Sequence, residues 1–240
     1  MRPLKLVTFD VTNTILKFRR EVHKVYAEVA TAFGIGVEIE KIKESFPQVY
    51  KSLDQEYPNF GSQSDISWKQ WWNEVVKRTL IAAGAREDHI HLQRAAETLV
   101  KHYSGGSEWT VRNGFPELLK ELQSYTYLGV ISNFDPRLSG ILDSCGISRY
   151  FDFILDSYSC GFVKPQRDIF DKALTLCRER IYPEESLHVG DSVIKDLNGA
   201  RGAGWNAMLL MVVPPEGIDK KFIATHVDEL REKIIIHASK

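Results

Sequence analysis

From Leu4 to Phe9 the chain reads Leu-Lys-Leu-Val-Thr-Phe, a short apolar run of strand-favouring residues that ends in Asp10, with the polar Thr12, Asn13 and Thr14 close behind. The pattern then changes period. Val22, Val25, Tyr26, Val29 and Phe33 recur at helical spacing, which predicts a helix over Phe18 to Phe33 that Gly34 and Gly36 end. A second helix is expected from Glu38 to Leu53, limited or kinked at Pro47. Tyr57 to Ser67 reads as a loop, Trp68 to Ala83 as a helix stopped by Gly84, and Glu87 to Tyr103 as another helix. Ser104-Gly105-Gly106-Ser107 has linker composition. No strand is expected between residues 17 and 108.

Beyond that point strands and helices alternate. Pro116 suits the first turn of a helix over Gly114 to Ser124. The strand Tyr127–Ile131 ends in Ser132-Asn133, and a helix over Pro136–Cys145 leads to the strand Phe151–Leu155. Lys164-Pro165 opens a helix to about Arg180. Ser186–Val189 is a strand ending in Gly190-Asp191, with a helix to Ala203 after it. A strand over Asn206–Val213 and a helix over His226–Ile236 complete the pattern. Alternation of this kind predicts an α/β fold, a Rossmann-like doubly wound parallel sheet with helices on both faces. The core is expected over 1–16 and 109–240, with an α-helical cap inserted at 17–108.

Composition narrows the setting. The 240 residues, 43% hydrophobic and 26% charged, suit a globular protein with a real core, and a formal charge of −1 gives no global attraction to nucleic acid or membrane. Cys145, Cys160 and Cys177 form no Cys-x-x-Cys pair and read as free thiols of a reducing compartment. Met1 to Lys5 has no apolar leader core, and the longest apolar run, Ala207–Val213, falls well short of the ~20 residues that span a bilayer. The expectation is a soluble cytoplasmic protein, a monomer or homodimer.

The candidate chemistry lies at the strand ends. Asp10, Ser132, Lys164 and the pair Asp191 and Asp196 each follow or close to follow a strand, and in an open parallel sheet the carboxyl ends line one crevice. Carboxylates gathered there cannot all stay ionised without a cation, which points to Mg²⁺ or a similar hard ion on oxygen ligands. Lys164 adds the positive charge a transferring phosphoryl group needs, and Ser132 with Asn133 offers a hydroxyl, an amide and backbone N–H groups to phosphate oxygens. Taken singly, each is as well read as a cap or turn residue; the ordered set carries the reading.

Four segments, Leu6–Thr14, Val130–Asn133, Gly161–Pro165 and His188–Asp196, resemble in order the motifs of the haloacid dehalogenase-like hydrolase superfamily, and the insertion between the first two is similar to the helical cap of one of its branches. Trp71-Trp72 and Ile131–Asp135 resemble one group within it. The resemblance implies that Asp10 is a nucleophile forming an aspartyl-phosphate, that Ser132 and the backbone near Asn133 bind the phosphoryl group, and that Lys164 neutralises both. It implies Mg²⁺ on Asp10, Asp191 and the Thr12 carbonyl, with Asp196 acting through water or by holding Lys164, and a small phosphorylated metabolite as substrate.

Thr12 departs from the pattern. Phosphatases of the superfamily carry there an aspartate that protonates the leaving alcohol and then activates water. A hydroxyl cannot do this near neutral pH, and the loss of such a group costs ~10²–10⁴ in rate, about 3–5 kcal/mol of barrier. Three readings stay open: slow action on substrates with good leaving groups such as acyl phosphates, a long-lived aspartyl-phosphate, or phospholigand binding without turnover. Metal-free dehalogenation fits less well, because it makes no use of Asp191 with Asp196 and Lys164.

Overall fold

The computed structural model describes residues 3–238; Met1 and Arg2, at the start of the segment read for a leader, lie outside it. Eight strands are described: β1 Leu6–Phe9, β2 Leu16–Phe18, β3 Trp109–Val111, β4 Tyr127–Ser132, β5 Phe153–Asp156, β6 Ser186–Gly190, β7 Asn206–Leu210 and β8 Ile223–Ala224. Six of them form one sheet in the order β5-β4-β1-β6-β7-β8, and its neighbours pair in parallel. This is the Rossmann-like α/β sheet that the alternation of elements predicts. The chain leaves β1 toward β4 and β5, then crosses back to β6, so the order reverses between β1 and β6. In such sheets ligands bind beyond the carboxyl ends at that reversal.

The chain divides into two compact units, residues 1–17 with 111–240, and residues 18–110. In the first, every residue of β1 is buried, as expected of a central parallel strand covered on both faces. Leu6 joins Ile131, Leu155, Ile169, Phe170 and Leu197 in one cluster, while Phe9 on the alternate face meets Phe115 edge-on at 5.7 Å. Gly129 of β4 is required by close packing: a Cβ there would run into the Phe153 ring. Burial pushes the Cys160 thiol up and that of Cys177 up to about 11, so neither is a ready thiolate.

The second unit has four main helices, Val22–Ala32, Ile39–Glu56, Trp68–Ala82 and Leu92–His102, around Tyr26, Ile42, Val76, Leu80, Ala96 and Leu99. Trp71 is fully buried and donates its indole N–H to the Tyr57 carbonyl at 3.0 Å, while Trp68 and Trp72 are half-buried. The helix from Ile39 spans Pro47, as the expected Glu38–Leu53 does, and runs on to Glu56, because Ile42, Phe46, Tyr50 and Leu53 keep one packed face that offsets the missing backbone hydrogen bond. One expectation fails here: Leu16–Phe18 is a strand, pairing with β3, so the first helix starts at Val22 and not at Phe18.

Candidate functional site

Asp10 stands one residue past β1 with its N–H bonded to the Val189 carbonyl of β6 at 2.8 Å, which fixes its backbone at the reversal of strand order. It is 8% exposed. Its Oδ1 accepts from the Ser132 hydroxyl at 3.0 Å and from Lys164 Nζ at 2.8 Å. Burial pushes the Asp10 carboxyl up, and the Asp196 and Asp191 carboxylates push the same way, against Lys164. No hydrogen bond to its Oδ2 is found among the described residues.

Lys164 reaches this point from a loop after β5. Its ammonium spends all three protons, on Asp10 Oδ1, Asp196 Oδ1 at 2.6 Å and the Ile131 carbonyl at 2.8 Å. Burial alone disfavours its charge, yet Asp10 and Asp196 more than offset that and hold Lys164 above the usual lysine range. The Asn133 side chain clamps the lysine's backbone: Nδ2 donates to the Lys164 carbonyl at 2.9 Å, and Oδ1 accepts from the Lys164 N–H at 2.8 Å. The Asn133 amide is therefore committed to positioning Lys164.

Asp196 is carried by a π-helical stretch, Val193–Asn198, where a regular helix was expected. Such stretches recur at functional sites. Its Oδ2 accepts from the Ser192 N–H at 2.8 Å while Oδ1 holds Lys164, so one carboxylate both braces its own turn and anchors the lysine. Burial opposes its ionisation, but Lys164 and His188 keep its carboxyl well below the usual carboxylate range. Gly190 makes the arrangement possible, since a Cβ there would collide with the Asp196 carboxyl group.

His188 was missed by sequence reasoning, although a lone polar residue at the centre of the apolar strand Ser186–Gly190 is a usable signal. It is fully buried, with Nε2 at 3.0 Å from Asp196 Oδ1 and Nδ1 at 2.9 Å from the Thr8 hydroxyl. Burial, then Lys164, pushes its pKa down, opposed by Asp196. A neutral ring donating from Nε2 to Asp196 and accepting at Nδ1 from Thr8 satisfies every partner, because the lysine has no proton left to give.

Asp191 follows β6, across the strand reversal from Asp10. Burial and then Asp196 push its carboxyl up, while a hydrogen bond from Asn13 and the charge of Lys164 pull it down. Asn13 adopts the left-handed conformation, φ 63°, in the turn that also holds Thr12. No cluster of three or more His, Cys, Asp or Glu side chains suited to a metal occurs among the described residues. The groups expected to hold a cation, the Asp10 and Asp191 carboxylates and the Thr12 carbonyl, are an all-oxygen set. With Asp196 they make three carboxylates against the charges of Lys164 and Arg112, an excess of negative charge that a divalent hard cation fits.

A sequence model of the haloacid dehalogenase-like hydrolase family matches residues 4–204. Haloacid dehalogenase-like hydrolase domain-containing protein 3 of Bos taurus is 37% identical over 217 residues, 90% of this chain and 84% of its own. It belongs to the group that Trp71-Trp72 and Ile131–Asp135 resemble. Among solved structures, magnesium-bound YfnB of Bacillus subtilis superposes with a TM-score of 0.72 at 18% identity, covering 98% of this chain and 100% of its own. The 2-haloacid dehalogenase of Pseudomonas syringae pv. Tomato gives 0.68 at 24% identity over 97% and 99%. Those two likenesses bear on the fold alone. The ordered motifs, the parallel sheet and the matched family model lead to one conclusion: this chain belongs to the haloacid dehalogenase-like hydrolase family.

Proposed function

We propose that this protein is a Mg²⁺-dependent phosphohydrolase with Asp10 as nucleophile, slow or specialised in action, turning over small phosphorylated molecules with good leaving groups such as acyl phosphates. The observation that carries the reading is the Asp10 carboxylate itself. One oxygen is held by Ser132 and Lys164, and no hydrogen bond to the other is found among the described residues. In this reading that second oxygen attacks phosphorus, the bond to the leaving oxygen breaks, and the leaving group departs with the electron pair. Water then attacks the aspartyl-phosphate, releasing phosphate and restoring the carboxylate. Ser132 turns its hydroxyl proton from Asp10 to a phosphoryl oxygen, Lys164 supplies positive charge beside it while its protons stay on Asp10, Asp196 and the Ile131 carbonyl, and Asp196 keeps the lysine charged and in place. Asp10, Asp191 and the Thr12 carbonyl would hold Mg²⁺, which supplies neutralisation of the phosphoryl charge.

Thr12 sets the limits of the activity. An alkoxide leaving group needs a proton that Thr12 does not give; a carboxylate leaving group does not. The second half-reaction also lacks its base, so the phosphorylated enzyme breaks down slowly. Thr12 equally supports a second reading, a phospholigand-binding protein without turnover. Three free thiols, with no helix among the described residues long and apolar enough to cross a membrane, support a cytoplasmic setting. Assay with Mg²⁺ and either acetyl phosphate or para-nitrophenyl phosphate separates the two readings. The expected outcome is slow hydrolysis that favours acetyl phosphate and disappears in Asp10→Asn. No hydrolysis of either compound, or hydrolysis that survives Asp10→Asn, would remove the enzymatic reading.

A further inference from the structure

Arg112 is a charge that the site described so far does not use. It follows β3 in the core unit, and its N–H donates to the Ile15 carbonyl at 2.8 Å. That bond clips it to the turn after Asp10, whose Thr12 bridges to Leu16 and whose Asn13 N–H donates to the Leu16 carbonyl at 2.8 Å. Asp191 is the carboxylate whose charge acts on Arg112, against the burial that pushes the guanidinium down. The side chain is half-buried, and its Nη1 is shielded from solvent with no hydrogen-bond partner among the described residues.

A guanidinium is a planar fork of five donors matched to carboxylate and phosphate oxygens. Leaving a buried donor of a charged group unmade is costly, so Nη1 of Arg112 calls for an acceptor that the described residues do not supply. Lys164 has no proton to spare for a second acidic group. Arg112 also cannot stand in for the missing acid of Thr12, because it does not deprotonate.

We infer that Arg112 is a substrate-binding residue that takes a second oxyanion, a carboxylate or a further phosphate, carried by the same molecule whose phosphoryl group meets Asp10. This rests on the phosphoryl-binding reading of the Asp10 site. It narrows the substrate class from phosphorylated metabolites in general to those with another acidic group.

Calorimetric binding in the presence of Mg²⁺ tests this with three probes: methylphosphonate, 3-phosphonopropionate and 1,3-propanediphosphonate. They share a phosphonate head and differ in having no second acid, a carboxylate, or a second phosphonate. The wild type is expected to bind at least one bifunctional probe more tightly than methylphosphonate, and the tighter one identifies the acid. In Arg112→Gln that advantage should fall roughly 10- to 100-fold, with methylphosphonate within about twofold of wild type. Arg112→Lys should keep part of it, since it keeps charge without the fork. Equal affinity of wild type for all three probes would overturn the inference and leave the Asp10 reading standing. So would an equal loss for all three in a folded Arg112→Gln. If the wild type binds none of them, both readings fall.

Discussion

At the residue scale the site is built around one ammonium and the groups that hold it. Lys164 donates to Asp10, Asp196 and Ile131, and behind Asp196 stand His188 and Thr8. The motif residues Asp10, Ser132, Lys164, Asp191 and Asp196 were legible in the sequence because each ends or follows a strand. His188 was not legible as part of the site, because apolar strand patterning absorbs a single histidine, and its partner Thr8 looks like any strand threonine. Its burial makes a pH prediction. The folded pKa of His188 is depressed below the unfolded value, so its contribution to stability is complete above that value and is lost as pH falls through the folded pKa. Urea unfolding at about pH 7.5 and about pH 5.5, either side of the ordinary histidine value of roughly 6.5, should show a larger acid-side loss in wild type than in His188→Gln. Equal losses in the two proteins would mean that His188 is not held neutral by the fold.

At the element scale, periodicity found the long helices and the buried strands, and it failed where length or local chemistry ran against it. β2 has three residues and β8 two, too short for a period to register, and each exists through its partner strand. Pro47 does not end the helix expected over Glu38 to Leu53, because propensity gives a local cost while the packed face of Ile39–Glu56 decides the outcome. The π-helical stretch Val193–Asn198 reads as ordinary helix in sequence, and its departure brings Asp196 against Gly190. That contact gives a test of the element. Gly190→Ala forces a methyl group into the Asp196 carboxyl, so it should cost about 1–3 kcal/mol of stability from overpacking and remove acetyl phosphate hydrolysis by displacing Asp196 from Lys164. Thermal unfolding and the hydrolysis assay report both effects. A variant as stable and as active as its parent would show that the helical stretch has room to move without consequence.

At the scale of the whole molecule, the strand order reverses between β1 and β6, and this topology delivers Asp10 and Asp191 to one crevice from 181 residues apart in sequence. Family membership accounts for that scaffold and leaves the chemistry to the side chains, as the likeness to both a magnesium-bound hydrolase and a 2-haloacid dehalogenase illustrates. In the proposed reading Thr12 leaves Asp10 as nucleophile without a proton shuttle, and Arg112 presents an Nη1 that has no partner among the described residues. The proposed function turns on whether Asp10 takes up a phosphoryl group and releases it slowly. The direct measurement is peptide mass spectrometry after brief incubation with acetyl phosphate and Mg²⁺, quenched in acid, on wild type and Thr12→Asp. A phosphoryl adduct on Asp10 that accumulates in wild type and is depleted in a faster-hydrolysing Thr12→Asp is the expected result. An unmodified Asp10 in wild type, or an adduct on another residue, would contradict it.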